Sequence, residues 1–273
     1  MRILVTGHKG YVGTVMVPML VEEGFEVVGL DIDLYRRSTF GDEAQILDVP
    51  EIKKDIRDIE ARDLEGIDAV FHLAALSNDP LGDLNTELTY DINWRSSVRL
   101  AEAAKAAGVG RFVFASSCSN YGASGTEDFL TEQAALNPIT AYGVSKVRTE
   151  EGVRPLADDH FSPTFLRFAT AYGYSPRLRF DIVVNNLVAW AFTTGQVLMK
   201  SDGMAWRPLI HVSDMCRAFI AVARAPRETV FNEVFNAGST AENYTVRQVA
   251  ALVRKTVPNS ETTFGEGAGA DPR

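Results

Sequence analysis

Arg2-Ile3-Leu4-Val5-Thr6-Gly7-His8-Lys9-Gly10-Tyr11-Val12-Gly13 starts as a short apolar run rich in β-branched residues and closes on three glycines in G-x-x-G-x-x-G spacing. A helical apolar pattern follows through Met16, Leu20 and Val21, so the order is strand, glycine turn, helix. Glycines at such a junction fit a tight turn, close approach of backbone to a pyrophosphate, and close packing of helix on strand, with the phosphate at the helix N-terminus. Ordinary loops also carry glycine triplets, and the spacing departs from G-x-G-x-x-G. Its place between a first strand and a first helix favours a dinucleotide, with Gly7, Gly10, Tyr11, Val12 and Gly13 lining the turn.

Outward from this turn, strand-like and helix-like segments alternate. A second strand, Glu26 to Leu30, ends in Asp31-Ile32-Asp33, about 20 residues beyond the glycines. Asp31 there can accept hydrogen bonds from ribose hydroxyls and would repel a 2′-phosphate, which points to NAD over NADP. A plain turn residue is the other reading of Asp31, and Arg36 and Arg37 could in principle hold such a phosphate. Leu34 to Gln45 reads as a polar loop, and Glu51 to Asp58 as a third strand ending in Asp55-Ile56-Arg57-Asp58. Ala69 to Ala75 reads as a buried fourth strand passing into small residues, where backbone can come close to a ligand. His72, in mid-strand, reads as a core histidine rather than a ligand or base.

A long helix is expected from Asn85 to Ala107, with Asn93 near its start and Gly108-Val109-Gly110 as its stop. The fifth strand, Arg111 to Ala115, delivers Ser116-Ser117-Cys118-Ser119-Asn120-Tyr121-Gly122 to the end of the sheet where open parallel sheets bind ligands. A hydroxyl there could bond a substrate alcohol; a serine-rich loop is the bland alternative. Then comes Thr140-Ala141-Tyr142-Gly143-Val144-Ser145-Lys146, which sets a phenol and an ammonium four residues apart on one face of a helix. A phenol has a reference pKa near 10, so work as a base at neutral pH needs a shift of about 3 units, roughly 4 kcal/mol. A cation held close in a desolvated cleft can supply that. Taken alone, such a pair is most often a surface pair.

Composition bounds the function. The 273 residues suffice for one large α/β domain, or a large domain with a smaller appendage, and 46% apolar with 23% charged residues is ordinary for a globule. A net charge of −9 argues against nucleic acid or an anionic membrane as the main partner, so an anionic ligand must meet a local basic patch. Cys118 and Cys216 offer neither a disulfide framework nor metal-ligand spacing, and no metal site is expected. The chain opens directly on a strand and carries no apolar run of transmembrane length, which reads as cytoplasmic.

Strand, glycine turn, strand ending in Asp, serine-rich strand end and Tyr-x-x-x-Lys, in that order, resemble the extended short-chain dehydrogenase/reductase family, and within it the NAD-dependent nucleotide-sugar epimerases and dehydratases. The resemblance covers most of the chain. It implies Tyr142 as catalytic base, Lys146 as the residue that binds the nicotinamide ribose and lowers the Tyr142 pKa, and Ser117 as the third member of the triad. It also places Asp55 and Ile56 at the adenine, Leu73, Ala74 and Ala75 along the NAD backbone, and Asn93 in support of the cofactor side. Substrate contacts would come from Ser117, Ser119, Thr170, Asn185, Asn186 and Arg207. The Asn pair and Arg207 match the residues that bind the diphosphate of the sugar nucleotide. Many relatives carry Asn where this chain has Thr170. Arg179, in the arginine-rich stretch Pro176 to Asp181, either contacts substrate or pairs with Asp181 or a neighbouring carboxylate.

The expected fold is therefore α/β, a doubly wound parallel Rossmann sheet with a small C-terminal substrate lobe. Residues 1–168 would be mainly NAD-binding, and 169–273 mainly substrate-binding, interleaved with late Rossmann elements. Relatives continue for another strand and helix, so the chain reads as short or truncated, with 271–273 resembling the start of a substrate-contacting segment. The activity expected is epimerisation of a nucleotide-diphosphate sugar through a transient keto-sugar, or alternatively simple oxidation or reduction of that sugar. The family's dehydratases carry Asp-Glu where Cys118 and Ser119 stand here, which disfavours 4,6-dehydration, and Cys118 reads as a packing residue rather than a nucleophile. Some proteins of this fold bind a dinucleotide only to regulate or scaffold; the joint presence of Ser117, Tyr142 and Lys146 argues against that class. A homodimer through the helices near 85–107 and 140–157 is expected from relatives.

Overall fold

The computed structural model describes residues 1–42, 45–77, 82, 84–122, 129–265 and 269, so the expectation for 271–273 lies outside the described residues. The first half runs β1 (Arg2–Thr6), α1 (Gly13–Glu22), β2 (Glu26–Leu30), β3 (Glu51–Ile52), β4 (Ala69–His72), α2 (Thr86–Tyr90), α3 (Ser96–Ala106), β5 (Arg111–Ser117) and α4 (Ala141–Val153). It continues with β6 (Ser162–Phe168), β7 (Thr170–Tyr172), α5 (Val183–Thr194), β8 (Gln196–Met199), β9 (Trp206–His211) and α6 (Val212–Arg224). The last elements are α7 (Arg227–Val230), β10 (Val234–Ala237), β11 (Asn243–Thr245), α8 (Val246–Thr256) and β12 (Glu261–Phe264).

One parallel sheet of seven strands, in the order β10-β6-β5-β4-β1-β2-β3, carries the large lobe. The chain leaves β1 toward β2 and β3, then returns to the other side of β1 for β4, so the winding reverses between β1 and β4. Such a reversal opens a crevice beyond the carboxyl ends of those two strands. The β1 and β4 ends deliver the glycine turn and Leu73 to this crevice. Side chains alternate across the sheet as period-two strands require. Ile3, Val5 and Val113 pack with Met16 and Leu20 of α1 and Phe219 of α6 on one face. Leu4, Phe112 and Phe114 pack with Leu100 of α3 and Val153 of α4 on the other. The sheet is thus covered on both faces, as a doubly wound fold demands.

A second layer of structure flanks the strand ends. There, β11-β9-β7 form a three-stranded sheet and β12-β8 a two-stranded one, with Leu187, Val197, Leu209 and Val249 in a core of their own. Among the described residues, no helix is long and apolar enough to cross a membrane, and no group of three His, Cys, Asp or Glu is placed to hold a metal.

β1 and β2 span the predicted residues, while four other elements differ from expectation. The third strand keeps only Glu51–Ile52; Ile56–Asp58 is instead a tight 3-10 turn whose start is capped by Asp55, which accepts a bond from the Arg57 amide (2.9 Å). β4 stops at His72, and β5 runs on to Ser117. The expected single helix 85–107 is broken by a π-turn at Asp91–Arg95. Side-chain hydroxyls account for the break: the Asn93 carbonyl accepts from Ser97 Oγ (2.7 Å) and Thr149 Oγ1 (2.9 Å), and the Ile92 carbonyl from Ser96 Oγ. Such back-bonding competes with the regular helical ladder.

Gly13 shows how tightly the first turn is built, because a Cβ there would lie 2.3 Å from the Gly7 carbonyl oxygen and 2.5 Å from the His8 Cα. Backbone cannot yield as a flexible side chain does. Gly13→Ala is therefore expected to destabilise the chain by about 1–3 kcal/mol, toward the upper end. Urea unfolding of the two proteins measures it, and an unchanged midpoint would show that the turn is looser than described.

Candidate active site

The glycine turn presents a cradle at the start of α1. Gly7 has φ +73°, and a Cβ on it would approach the Ala74 amide nitrogen to 2.9 Å, so the β4 loop passes hard against the turn. At Gly10 a Cβ would meet only the Gly7 oxygen, at 3.2 Å, and otherwise open space. α1 starts with no side-chain cap and no acidic residue in its first turn. An uncapped helix start beneath open space suits an anionic diphosphate. The residues present thus fit a dinucleotide.

At the end of β2, Asp31 accepts from the Lys9 amide (3.0 Å) and the Asp33 amide (2.8 Å), which fastens the glycine turn to the end of β2. Asp55 is held by Arg57 through Nε (3.0 Å) and Nη2 (2.8 Å), and these bonds keep its carboxyl below the usual range. Ile56 beside it is buried. The amides of Leu73 and Ala74 both donate to Thr6 Oγ1 (3.2 Å), and Ala75 follows, half-buried. Asn93, carried inward by the π-turn, accepts from the Leu76 amide (2.7 Å) and donates to the Leu76 carbonyl (2.9 Å). It fixes the loop along which the cofactor is expected to lie. His72 is sealed in the core with Nδ1 2.7 Å from Thr6 Oγ1 and Nε2 2.7 Å from Ser97 Oγ; burial, then the charge on Lys146, push it down to about 3.

Tyr142 and Lys146 sit on the first turns of α4, whose start is capped by Thr140 accepting from the Gly143 amide (3.1 Å). The Lys146 Nζ lies 5.5 Å from the centre of the Tyr142 ring and 4.5 Å from that of Phe114, and donates to the Ala115 carbonyl (2.7 Å). Burial pushes this ammonium down to about 7, against the pull of the Glu150 charge. Gly143 presses the helix onto the strand end that carries Ser117, since a Cβ there would lie 3.0 Å from the Ser119 carbonyl. Ser117 Oγ accepts from the Ser119 amide (3.1 Å) and donates to Ser119 Oγ (3.1 Å). The structure therefore brings the phenol, ammonium and hydroxyl-bearing elements to one end of the crevice. Burial raises the Cys118 thiol to about 11, with the Arg207 charge opposing, so it is a thiol rather than a thiolate at neutral pH.

On the substrate side, Thr170 begins β7 and pairs in register with Leu209 of β9, the strand that carries Arg207. Arg207 donates to the Trp206 carbonyl (2.7 Å). The two amides expected on a diphosphate are bonded to the segment 173–180. Asn185 accepts from the Gly173 amide (3.0 Å) and donates to the Arg179 carbonyl (3.0 Å), and Asn186 donates to the Phe180 carbonyl (2.7 Å). Arg179 pairs with Asp181 (2.9 Å from Nε) and also reaches Ser77, at Oγ (2.9 Å) and the carbonyl (3.0 Å).

Sequence reading passed over what this segment does. Arg177 is buried, pairs with Asp33 (3.0 Å) and donates to the Tyr35 carbonyl. Ser175 donates to the Tyr11 carbonyl (2.7 Å), and the Phe40 amide donates to the Pro176 carbonyl (2.7 Å). The segment therefore straps the glycine turn and the β2 loop to the loop after β4. Nor does local pattern single out Glu150, Arg167, Asn120, Tyr121 and the half-buried Asn236, which form a polar network behind the Ser117 strand end. The fourfold spacing of Lys146 and Glu150 was the available signal.

With this geometry established, the chain's relationships are clear. Residues 3–238 match the NAD dependent epimerase/dehydratase family. The chain belongs to that family. Its cofactor is NAD. The chain is similar to the UDP-glucose 4-epimerase of Lactobacillus helveticus, 31% identical over 301 residues that cover 100% of this chain and 87% of that protein. Among solved structures it is similar to MoeE5 in complex with UDP-glucuronic acid and NAD, with a TM-score of 0.82 at 31% identity over 97% of this chain and 85% of that one. It is also similar to TunA, an NAD-dependent NDP-hexosamine 5,6-dehydratase involved in tunicamycin biosynthesis, with a TM-score of 0.85 at 26% identity over 100% and 86%.

The buried lysine carries a stability cost with a defined pH range. Its folded value, about 7, lies below the ordinary 10.5, so the unfolded chain binds the proton more tightly. The penalty is full below about 7, fades as pH rises toward 10.5, and vanishes above it. In the NAD-free protein, Lys146→Met should raise the thermal midpoint at neutral pH, and this gain should shrink as pH rises through that interval. A lower midpoint at neutral pH would contradict the cost assigned to burial.

Proposed function

We propose that the protein is an NAD-dependent epimerase of a uridine diphosphate sugar, with Tyr142 as the base, Lys146 as its cationic partner and Ser117 as the hydroxyl that orients the sugar alcohol. The observation that carries this reading is the Lys146 ammonium buried beneath the Tyr142 ring, with Ser117 on the adjoining strand end. A cation held out of water favours a neighbouring phenolate far more than one at the surface. Tyr142 takes the proton of the sugar hydroxyl as Ser117 holds that oxygen, and Lys146 stabilises the charge that develops on the phenol. NAD, when bound, supplies the acceptor and then the donor of hydride, so the reaction has no net redox change. The resulting keto-sugar turns within the site and receives back the proton that Tyr142 has kept.

The cofactor would rest on Gly7, Gly10, Tyr11, Val12 and Gly13, with Asp31 at its ribose, Asp55 and Ile56 near its adenine, and Leu73, Ala74, Ala75 and Asn93 along its length. The sugar nucleotide would meet Ser119, Thr170, Arg179 and Arg207, with Asn185 and Asn186 shaping the wall. Dehydration is the weaker reading. Cys118 is a raised thiol, and Glu150 is committed to Arg167, so neither serves as a free acid or base for the neighbouring carbon. The reading extends to a cytoplasmic homodimer joined through α2, α3 and α4. Arg148 of α4 stacks over Tyr90 (4.9 Å) and Trp94 (4.7 Å), which links those helices to one another.

The test is incubation of the NAD-loaded protein with UDP-glucose, UDP-glucuronic acid and their N-acetylhexosamine counterparts, with products identified by NMR and NADH followed by absorbance. An inverted sugar without net NADH is expected, while accumulating NADH would make the protein a dehydrogenase. Tyr142→Phe should lower kcat at least about a hundredfold and leave NAD binding nearly intact. Wild-type turnover by that variant would sink the assignment of the base.

A further inference from the structure

Glu150 and Arg167 form an ion pair directly behind the triad, and the mechanism above gives them no part. Glu150 lies one helical turn past Lys146 and two past Tyr142, so the three share one face of α4. Its Oε1 accepts from Ser116 Oγ (2.5 Å), Asn120 Nδ2 (2.8 Å) and Arg167 Nε (3.0 Å), and its Oε2 accepts from Arg167 Nη2 (2.6 Å). The side chains of Arg167 and Glu150 are 5% and 3% exposed. Ser116 precedes Ser117 on β5, and Asn120 belongs to the turn after it. One carboxylate thus ties α4 to both sides of Ser117. Arg167 extends the network through Nη1 to the Tyr121 hydroxyl (3.0 Å) and the Glu132 carbonyl (3.1 Å).

Two charges taken out of water seldom add net stability, and an apolar pair of similar volume often does as well. Their position suggests what they do instead. We propose that the Glu150–Arg167 pair is a positioning unit for the triad, fixing α4 against the Ser117 strand end and balancing the electric field at Tyr142 and Lys146 with its two opposite charges. The proposal rests on the triad assigned above.

The other groups around this site leave that balance to the pair. His72, from β4, is neutral down to about pH 3, and burial raises both the Cys118 thiol and the Tyr121 phenol. The Glu132 carboxylate accepts from the Asn236 amide. Arg179, which faces Tyr142 from the strap, is offset by Asp181, while Arg207 faces Cys118 from β9. Removing one partner of the pair therefore unbalances the site in a known direction. Glu150→Gln leaves Arg167 unopposed and makes the site more positive, but it also removes the charge that holds the Lys146 ammonium up; with Lys146 replaced by Met that second titration is absent, and the Tyr142 phenol loses its proton at lower pH. Arg167→Gln leaves the carboxylate unopposed and moves that loss to higher pH. A unit charge about 10 Å away, at an effective dielectric near 20, moves the midpoint by about one pH unit.

The experiment is an ultraviolet titration of tyrosinate in the full-length, NAD-loaded protein without any sugar. All variants are made on a Lys146→Met background, whose Tyr142 midpoint is the wild-type reference, and each is differenced against the same protein carrying Tyr142→Phe, so that only Tyr142 is read and Lys146 does not co-titrate. Opposite shifts for E150Q and R167Q, with R167K near the wild-type midpoint, are the expected result. A purely structural pair would lower the thermal midpoint of both variants and move Tyr142 in the same direction in both, or not at all; either outcome overturns the proposal. If a lone buried charge unfolds the domain, E150M/R167M leaves none unpaired. Because the carboxylate sits on Tyr142's own helix and is the member of the pair whose charge acts on the neighbouring position 146, this double variant should titrate below wild type by less than about one unit; a wild-type midpoint in it would overturn the proposal. Because no sugar is present, a failure of the wild type to convert UDP-glucose sinks the proposed function without changing what the titration says about the pair.

Discussion

The chemistry proposed for the site depends on holding one ammonium group, that of Lys146, away from water. A surface lysine beside Tyr142 would be screened and would scarcely alter a phenol. Here the buried Nζ lies over the Phe114 and Tyr142 rings and donates to the Ala115 carbonyl. Burial makes the charge costly and, for the same reason, effective. Most of what surrounds it can be understood as making that position tolerable: a carboxylate one helical turn away, a carbonyl at a strand end, and a neutral His72 in place of a second cation.

The sheet supplies this position and the crevice proposed for the cofactor from one feature, the reversal of winding between β1 and β4. Strand ends on either side carry the glycine turn and the Leu73 loop, and the next strand, β5, carries Ser117. The smaller lobe adds the strap. Its anchors, Arg177 on Asp33 and Arg179 on Ser77, lie on opposite sides of the crevice, so residues 173–181 join the loop after β2 to the loop after β4. Asn185 and Asn186 shape the strap by bonding its backbone, which places any contact they make with substrate beside a structural duty.

Local pattern carried much of this into the sequence. The β1 run, the glycine turn and the β2 run ending at Asp31 could be read because strand period, glycine chemistry and spacing are local signals. Tyr142 and Lys146 were legible through their four-residue spacing on a helix. What escaped depends on distant partners. The π-turn at Asp91–Arg95 follows from hydroxyls of Ser97 and Thr149 converging on one carbonyl, and Thr149 lies on a different helix. The partner of Arg177 lies 144 residues earlier in the chain, at Asp33. Glu150 shows an acidic residue four past a lysine, a common surface pattern, and only packing against β6 turns it into a buried partner of Arg167.

The central claim is that the site inverts a sugar carbon by moving hydride and one proton, without removing a hydrogen from the neighbouring carbon. The most direct measurement is conversion of UDP-glucose by the NAD-loaded protein in deuterated water, with the product examined by NMR. The account predicts an inverted sugar whose carbon-bound hydrogens are all retained, because a hydride passed to carbon and back does not exchange with water. Deuterium on a ring carbon, or loss of water from the sugar, would contradict it and give the site the chemistry of a dehydratase.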